Sequence, residues 1–150
     1  MAVEIANRQR RLQLNRKEIA ALAEKTLEME NAAGDISVAV VGRRKITQLN
    51  RRYFNRAETT DVIAFPLQDD VHEDRNYLGE VVVCSDVAAD EAEVRGLDPT
   101  RELYFYVVHG LLHILGHTDK DGKSRARMNK RARAILRAFC DDARRTAGEQ

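Results

Sequence analysis

"LYFYVVHGLLHILGHTD" occupies residues 103 to 119 of a 150-residue chain. From Leu103 to Leu115 apolar side chains fall on nearly every side of a helical projection, the pattern of a helix buried all round. Gly116 supplies its stop, and Asp98-Pro99 ahead of it reads as an N-cap followed by proline at the first helical position. This helix belongs at the centre of the fold. The stretch also contains three of the four histidines in the chain, His109 and His113 on the helix and His117 just past its stop.

Working outward, "YLGEVVVCS" (77 to 85) and "DISVAVVG" (35 to 42) are β-branched runs that read as strands, the second closed by Gly42. "TDVIAFP" (60 to 66) is a further strand that Pro66 either ends or places at a sheet edge. Val3 to Ile5 is a short possible strand. Asn15 with Glu18 forms a capping box for a helix whose inner face is Ile19, Leu22, Ala23 and Leu27, ending before Gly34. Ile46, Leu49, Asn50 and Tyr53 mark a second helix. Asp86 to Arg95 is a third, ended by Gly96. Met128, Ala132, Ile135, Leu136 and Phe139 stripe a basic helix from about Ser124 to Arg144. About four strands interleaved with about five helices, joined by short connections, predict an α+β fold: a small mixed sheet, with the metal-site helix buried at its centre. The length suits a single domain spanning 1–150.

No stretch approaches eighteen consecutive apolar residues, and the N-terminus has no apolar signal region, so the expectation is a cytoplasmic protein with no membrane partner. Cys84 and Cys140 lack CxxC spacing and read as reduced packing residues. The net charge of +1 conceals segregation. Residues 1–56 carry 12 Lys and Arg against 6 Asp and Glu, residues 57–102 carry 3 against 13, and residues 103–150 carry 10 against 5. Such blocks allow a local basic surface for a polyanion, although solvated arginine-rich helix faces account for the same pattern. His72, in an acidic loop, reads as a solvated surface residue.

On a helix, positions i and i+4 stand one above the other, so His109 and His113 present two imidazoles to one point, the spacing used by HExxH zinc enzymes. Two histidines in an apolar core need partners for their ring nitrogens, and a shared metal satisfies both. The turn at Gly116 returns either His117 or Asp119 as a third ligand; zinc accepts imidazole nitrogen and carboxylate oxygen alike, and three protein ligands leave a fourth position for water. The HExxH glutamate position is Gly110. A metalloprotease-like hydrolase, which relies on that glutamate as general base, is thereby disfavoured.

These residues carry a family resemblance. "HGLLHILGHTD" (109 to 119) resembles the HGxLHLxGYDH signature of the YbeY family of zinc-dependent endoribonucleases. "LNRRYF" with "TTDVIAFP" is similar to that family's LNxxYR and PTDVLSFP, and "LGEVVVCSDVA" to LGDIVIS..VA. The likeness runs from about residue 46 to residue 119. It implies one Zn2+ per chain held by His109 and His113, and hydrolysis of single-stranded or precursor ribosomal RNA in 16S rRNA 3′-end maturation and ribosome quality control, with the small ribosomal subunit as partner.

Two positions depart from the pattern. Asp119 stands where the family has its third histidine ligand, and His117 stands at the family's tyrosine. Asp119 is the favoured third ligand, because the family uses the turn to bring the later residue home, and His117 is its rival. Phe54 stands at the family's arginine, so the phosphate-holding cation is expected from Arg56. The expected catalytic group is therefore His109, His113 and Arg56. Arg43, Arg44, Arg51 and Arg52, with Arg8, Arg10, Arg11 and Lys45, offer sequence-independent phosphate contacts. Phe54 or Tyr53 can stack on an unpaired base, but Tyr53, on the apolar helix face, reads better as core packing. A non-catalytic RNA-binding assembly factor is the alternative that the loss at Phe54 supports. The general base is unassigned.

Overall fold

The computed structural model describes residues 2–67 and 76–148; the acidic segment 68–75, which contains His72, lies outside the described residues. The elements run β1 (Val3–Arg8), α1 (Arg16–Met29), β2 (Asp35–Val41), α2 (Arg43–Phe54), β3 (Val62–Pro66), β4 (Tyr77–Cys84), α3 (Ser85–Arg95), α4 (Pro99–Ile114) and α5 (Gly122–Gly148). The sheet order is β1-β2-β4-β3. β1 and β2 are parallel, as are β2 and β4, whereas β3 runs antiparallel to β4. This is the expected mixed sheet in an α+β arrangement. Pro66 satisfies both of its readings, as the last residue of an edge strand.

The two central strands are buried on both faces, which is why they read as continuous apolar runs. Ile36, Val38 and Val40 of β2, with Val81 and Val83 of β4, enter the larger core beneath α1, α4 and α5. The alternate residues Val41, Val82 and Cys84 meet Ile46 of α2 on the opposite face. Burial also raises the Cys84 thiol pKa above its usual value, and both cysteines are free.

Local chemistry sets the helix limits. The Asn15 side chain accepts from the Glu18 N–H at 3.2 Å to open α1, and Asp98 accepts from the Thr100 N–H at 3.0 Å to open α4, each satisfying a donor that the helix leaves unpaired. Gly116 (φ +103°) closes α4: its N–H reaches His113 O at 3.1 Å, and that of His117 reaches Leu112 O at 3.0 Å. This pair of bonds is a Schellman motif. α5 begins at Gly122, slightly earlier than its apolar stripe predicts. Asp121 and Ser124 cap it reciprocally, the Asp121 carboxylate accepting from the Ser124 N–H at 2.8 Å and the Asp121 N–H donating to Ser124 Oγ at 3.2 Å.

α4 lies between the sheet and α5, with Leu103, Val107, Val108, Leu111 and Leu112 fully buried. The approach to the sheet is closest at Gly110. A Cβ there would stand 2.5 Å from Val81 Cγ1 and 2.9 Å from Val62 Cγ2. The short branches of a valine cannot swing aside, so a larger residue displaces the helix. Gly110→Ala gains about 1 kcal/mol in helix propensity and loses about 1–3 kcal/mol to overpacking. We expect a net destabilisation of up to about 2 kcal/mol, read as a lowered urea midpoint at unchanged m-value.

Candidate metal centre

With Gly110 of α4 seated against Val81 and Val62, the i, i+4 pair His109 and His113 lies together to one side of that contact, beside β3, with ring centroids 5.0 Å apart. The turn at Gly116 returns the chain, and His113 Nε2 lies 3.5 Å from Asp119 Oδ2. Donor atoms of His109, His113 and Asp119 all lie within 4.8 Å of one another. His117 points elsewhere: its Nε2 is 2.6 Å from Glu30 Oε1 at the end of α1. The other Glu30 oxygen receives Arg131 Nε at 3.2 Å, and Arg131 also donates to Met29 O at 2.8 Å. Of the two rivals, the fold thus brings Asp119 beside the histidine pair and uses His117 to tie the α4–α5 turn to α1.

The donor set suits a metal ion. His109 Nδ1 is buried without a hydrogen-bond partner among the described residues, a state that costs about 1–3 kcal/mol unless something binds there. Burial first, and then neighbouring His113, hold the His109 pKa below the ordinary imidazole value, while Asp61 and Asp119 act in the opposite sense. An imidazole kept neutral is one ready to ligate.

Two open clefts meet at this group. One, of about 570 Å³, runs along β3 and is lined by Phe54, Arg56, Asp61, His109, His113 and Asp119 among others. The loop carrying Arg56 and Asp61 is held at both ends: Asn50 Nδ2 donates to Glu58 O at 2.9 Å, and the Cys84 N–H donates to Asp61 O at 2.9 Å. Arg56, on this loop, lines the cleft. Tyr53 does not pack in the core. It is 55% exposed, at the end of α2, where its ring meets Phe65 in a T-shaped contact 5.2 Å away between centroids and the exposed Arg52 guanidinium lies 5.5 Å from its centroid. Phe54, 47% exposed, lines the cleft itself.

The other cleft, of about 600 Å³, opens between α3, α4 and α5 and shares Asp61, His109 and Asp119 with the first. Asp61, on the wall common to both, is a carboxylate beside the triad and outside it. No local spacing ties it to the histidines, although it stands within the "TTDV" stretch at residues 59–62. The basic residues of α2 are less free than their sequence suggests. Arg43 pairs with Asp90, which also takes Arg11 at 3.0 Å. Arg44, Arg51 and Arg52 are exposed on a helix that packs against the sheet face opposite α4.

Two imidazoles and a carboxylate that open onto clefts on both sides form a donor set able to hold a metal ion, and three protein ligands leave a coordination position free. The family model described as "Endoribonuclease YbeY" matches residues 4–140. A protein of that name from Carboxydothermus hydrogenoformans is 40% identical over 114 residues, covering 76% of this chain and 78% of the relative. Its namesake from Finegoldia magna is 30% identical over 143 residues, covering 91% and 93%. The solution structure of TM1509 from Thermotoga maritima superposes with a TM-score of 0.65 at 22% identity, over 99% of this chain and 95% of that one. The chain belongs to the endoribonuclease YbeY family.

Ligand assignment is tested by metal content. His113→Ala and Asp119→Ala are expected to reduce bound metal per chain, measured by plasma mass spectrometry after dialysis, with His113→Ala the more severe. His117→Gln is expected to keep its metal while losing about 1 kcal/mol of stability with the Glu30 contact. Full loss of metal in His117→Gln beside retention in Asp119→Ala would reverse the assignment.

Proposed function

We propose that this chain is a zinc-dependent endoribonuclease that cuts single-stranded RNA. The observation carrying the reading is the His109–His113–Asp119 group opening onto a cleft lined by Arg56, in a chain of the YbeY family. Zinc is the metal that this mixed nitrogen and oxygen set favours among hydrolytic ions. Precursor ribosomal RNA is the proposed substrate, with action at the 16S 3′ end and in ribosome quality control on the small subunit. Among the described residues no helix is long and apolar enough to cross a membrane, in keeping with the proposed work in the cytoplasm. Residues 1–150 act as one catalytic domain.

A zinc ion held there would supply Lewis acidity, making a water nucleophilic near neutral pH and drawing charge from a phosphoryl oxygen. The protein's own residues do the remainder. Arg56 holds the scissile phosphate by its planar fork of donors, in place of the arginine replaced by Phe54. Phe54 offers a flat apolar face to a base beside that phosphate. Asp61, uninvolved in the triad, accepts the proton released on attack, whether from water or from the RNA 2′-hydroxyl. Peptidase chemistry is disfavoured twice over: position 110 lacks the glutamate, and the space that its side chain would need is taken by Val81 and Val62.

The deciding experiment is cleavage of a single-stranded RNA by purified protein with and without chelator, alongside His109→Ala and Arg56→Ala. We expect chelator and His109→Ala to abolish cleavage, and Arg56→Ala to slow it roughly a hundredfold, as for removal of one oriented donor to a developing anion. Cleavage that survives chelation would overturn the metal mechanism. Metal-loaded protein that binds RNA without cutting it would identify a non-catalytic assembly factor.

A further inference from the structure

Two rows of side chains with helical i, i+4 spacing face each other across the second cleft. On α4 the row is Arg101, Phe105, His109 and His113; on α5 it is Arg125, Asn129, Arg133 and Arg137. Such spacing lines residues up along one helix side. The rows run in opposite directions and meet in register. Asn129 sits against His109, the Arg133 guanidinium lies over the Phe105 ring at 5.8 Å from its centroid, and Arg101 and Arg137 line one end together. That end is a pocket of about 290 Å³, which shares Arg95, Glu102, Phe105 and Arg133 with the cleft that reaches the metal group. A continuous groove therefore leads from His109 along α4 to Arg101, about 12 Å at the helical rise per residue.

The groove is cationic on its α5 side. Arg125, Arg133 and Arg137 are exposed and make no ion pair among the described residues. On the opposite wall Glu102 is already paired with Arg95 at 3.6 Å. Phe105, in the α4 row, is half-buried and lines both pockets. Unpaired guanidinium groups at regular spacing, with an aromatic ring between them, are the elements that hold a single strand by its phosphates and stack one base. Arginines on α2 lie on a helix packed against the other sheet face and do not line this groove.

We propose that the α4–α5 groove is a second RNA-binding segment of the site. In it Arg133 and Arg137 hold phosphates on one side of the cleavage point, and a base next to that point stacks on Phe105, whose ring centroid is 6.0 Å from that of His109. The inference rests on the endoribonuclease reading above and adds a path for the strand to it: along β3 past Arg56 on one side of the metal, and along α5 on the other.

The test is binding of the full chain, with chelator present to prevent cutting, to a fluorescein-labelled single-stranded RNA of roughly 12 nucleotides, read by anisotropy over a range of KCl. Arg133→Gln/Arg137→Gln is expected to weaken binding roughly tenfold and to lower the slope of log K against log[salt] by about 1.4, two phosphate contacts' worth on a single strand. Arg133→Lys/Arg137→Lys should keep the slope. Arg16→Gln/Lys17→Gln, which removes the same charge from the exposed start of α1, should leave binding unchanged, and thermal melts followed by circular dichroism check that each variant is folded. With 2-aminopurine moved stepwise along the RNA, quenching is expected at one register in the unaltered protein and is lost in Phe105→Leu. If the unaltered protein cuts RNA but the Arg133/Arg137 glutamine variant binds with the same affinity and slope, or no more weakly than the Arg16/Lys17 variant, the groove is overturned and the enzyme reading stands. An unaltered protein that neither binds nor cuts RNA overturns both.

Discussion

The structure depends on how closely α4 lies against the sheet. With no side chain at Gly110, the helix settles onto Val81 and Val62, and that seating fixes its rotation. Once position 110 faces the sheet, the i, i+4 geometry places His109 and His113 together on one flank of the helix, beside β3. The same rotation leaves Phe105 and Arg101 on the side that α5 approaches. Packing and chemistry are thus coupled at one residue. The chemistry that a glutamate would bring at position 110 is incompatible with the contact that orients the histidines.

Around that helix, the loops are held by ordinary polar contacts made for their own sake. The Schellman motif after α4 satisfies carbonyls that the helix leaves open, and in doing so turns the chain so that Asp119 stands beside His113. Glu30, His117 and Arg131 then join this turn to α1 and α5. The loop after α2 is fastened by Asn50 at one end and by the Asp61 carbonyl at the other. Arg56 and Asp61 are therefore carried on a backbone fastened at both ends, which suits the phosphate-orienting role proposed for this site.

A site at the meeting of two clefts suits a polymer better than a small molecule. A strand has to enter and leave, and an enclosed cavity would not allow it to. The two sides differ in character: β3 supplies an apolar edge with Phe54, and α5 supplies spaced guanidinium groups. Asp86 and Asp90 engage Arg11 and Arg43 near the start of α2, so the density of basic residues along the sequence is a poor guide to where free positive charge lies. Ion pairing redistributes it.

Much of this was legible in the sequence, for reasons of range. Caps at Asn15 and Asp98, the stop at Gly116, the apolar runs of β2 and β4, and the buried character of 103–115 are signals carried within a few residues, and each element formed where its signal lay. The His109–His113 pair was legible for the same reason, since helical periodicity alone places both on one face. Tyr53 was misread because periodicity reports a helix face and not whether a neighbour covers it; at the end of α2 the contact with Phe65 leaves the ring more than half exposed. The choice between His117 and Asp119, the place of Asp61 on the wall of both clefts, and the meeting of the α5 arginines with Phe105 depended on elements distant in sequence. Spacing along a chain determines which residues share a helix face. Which face meets which partner is decided by burial and packing of the whole, and only the tertiary structure contains that.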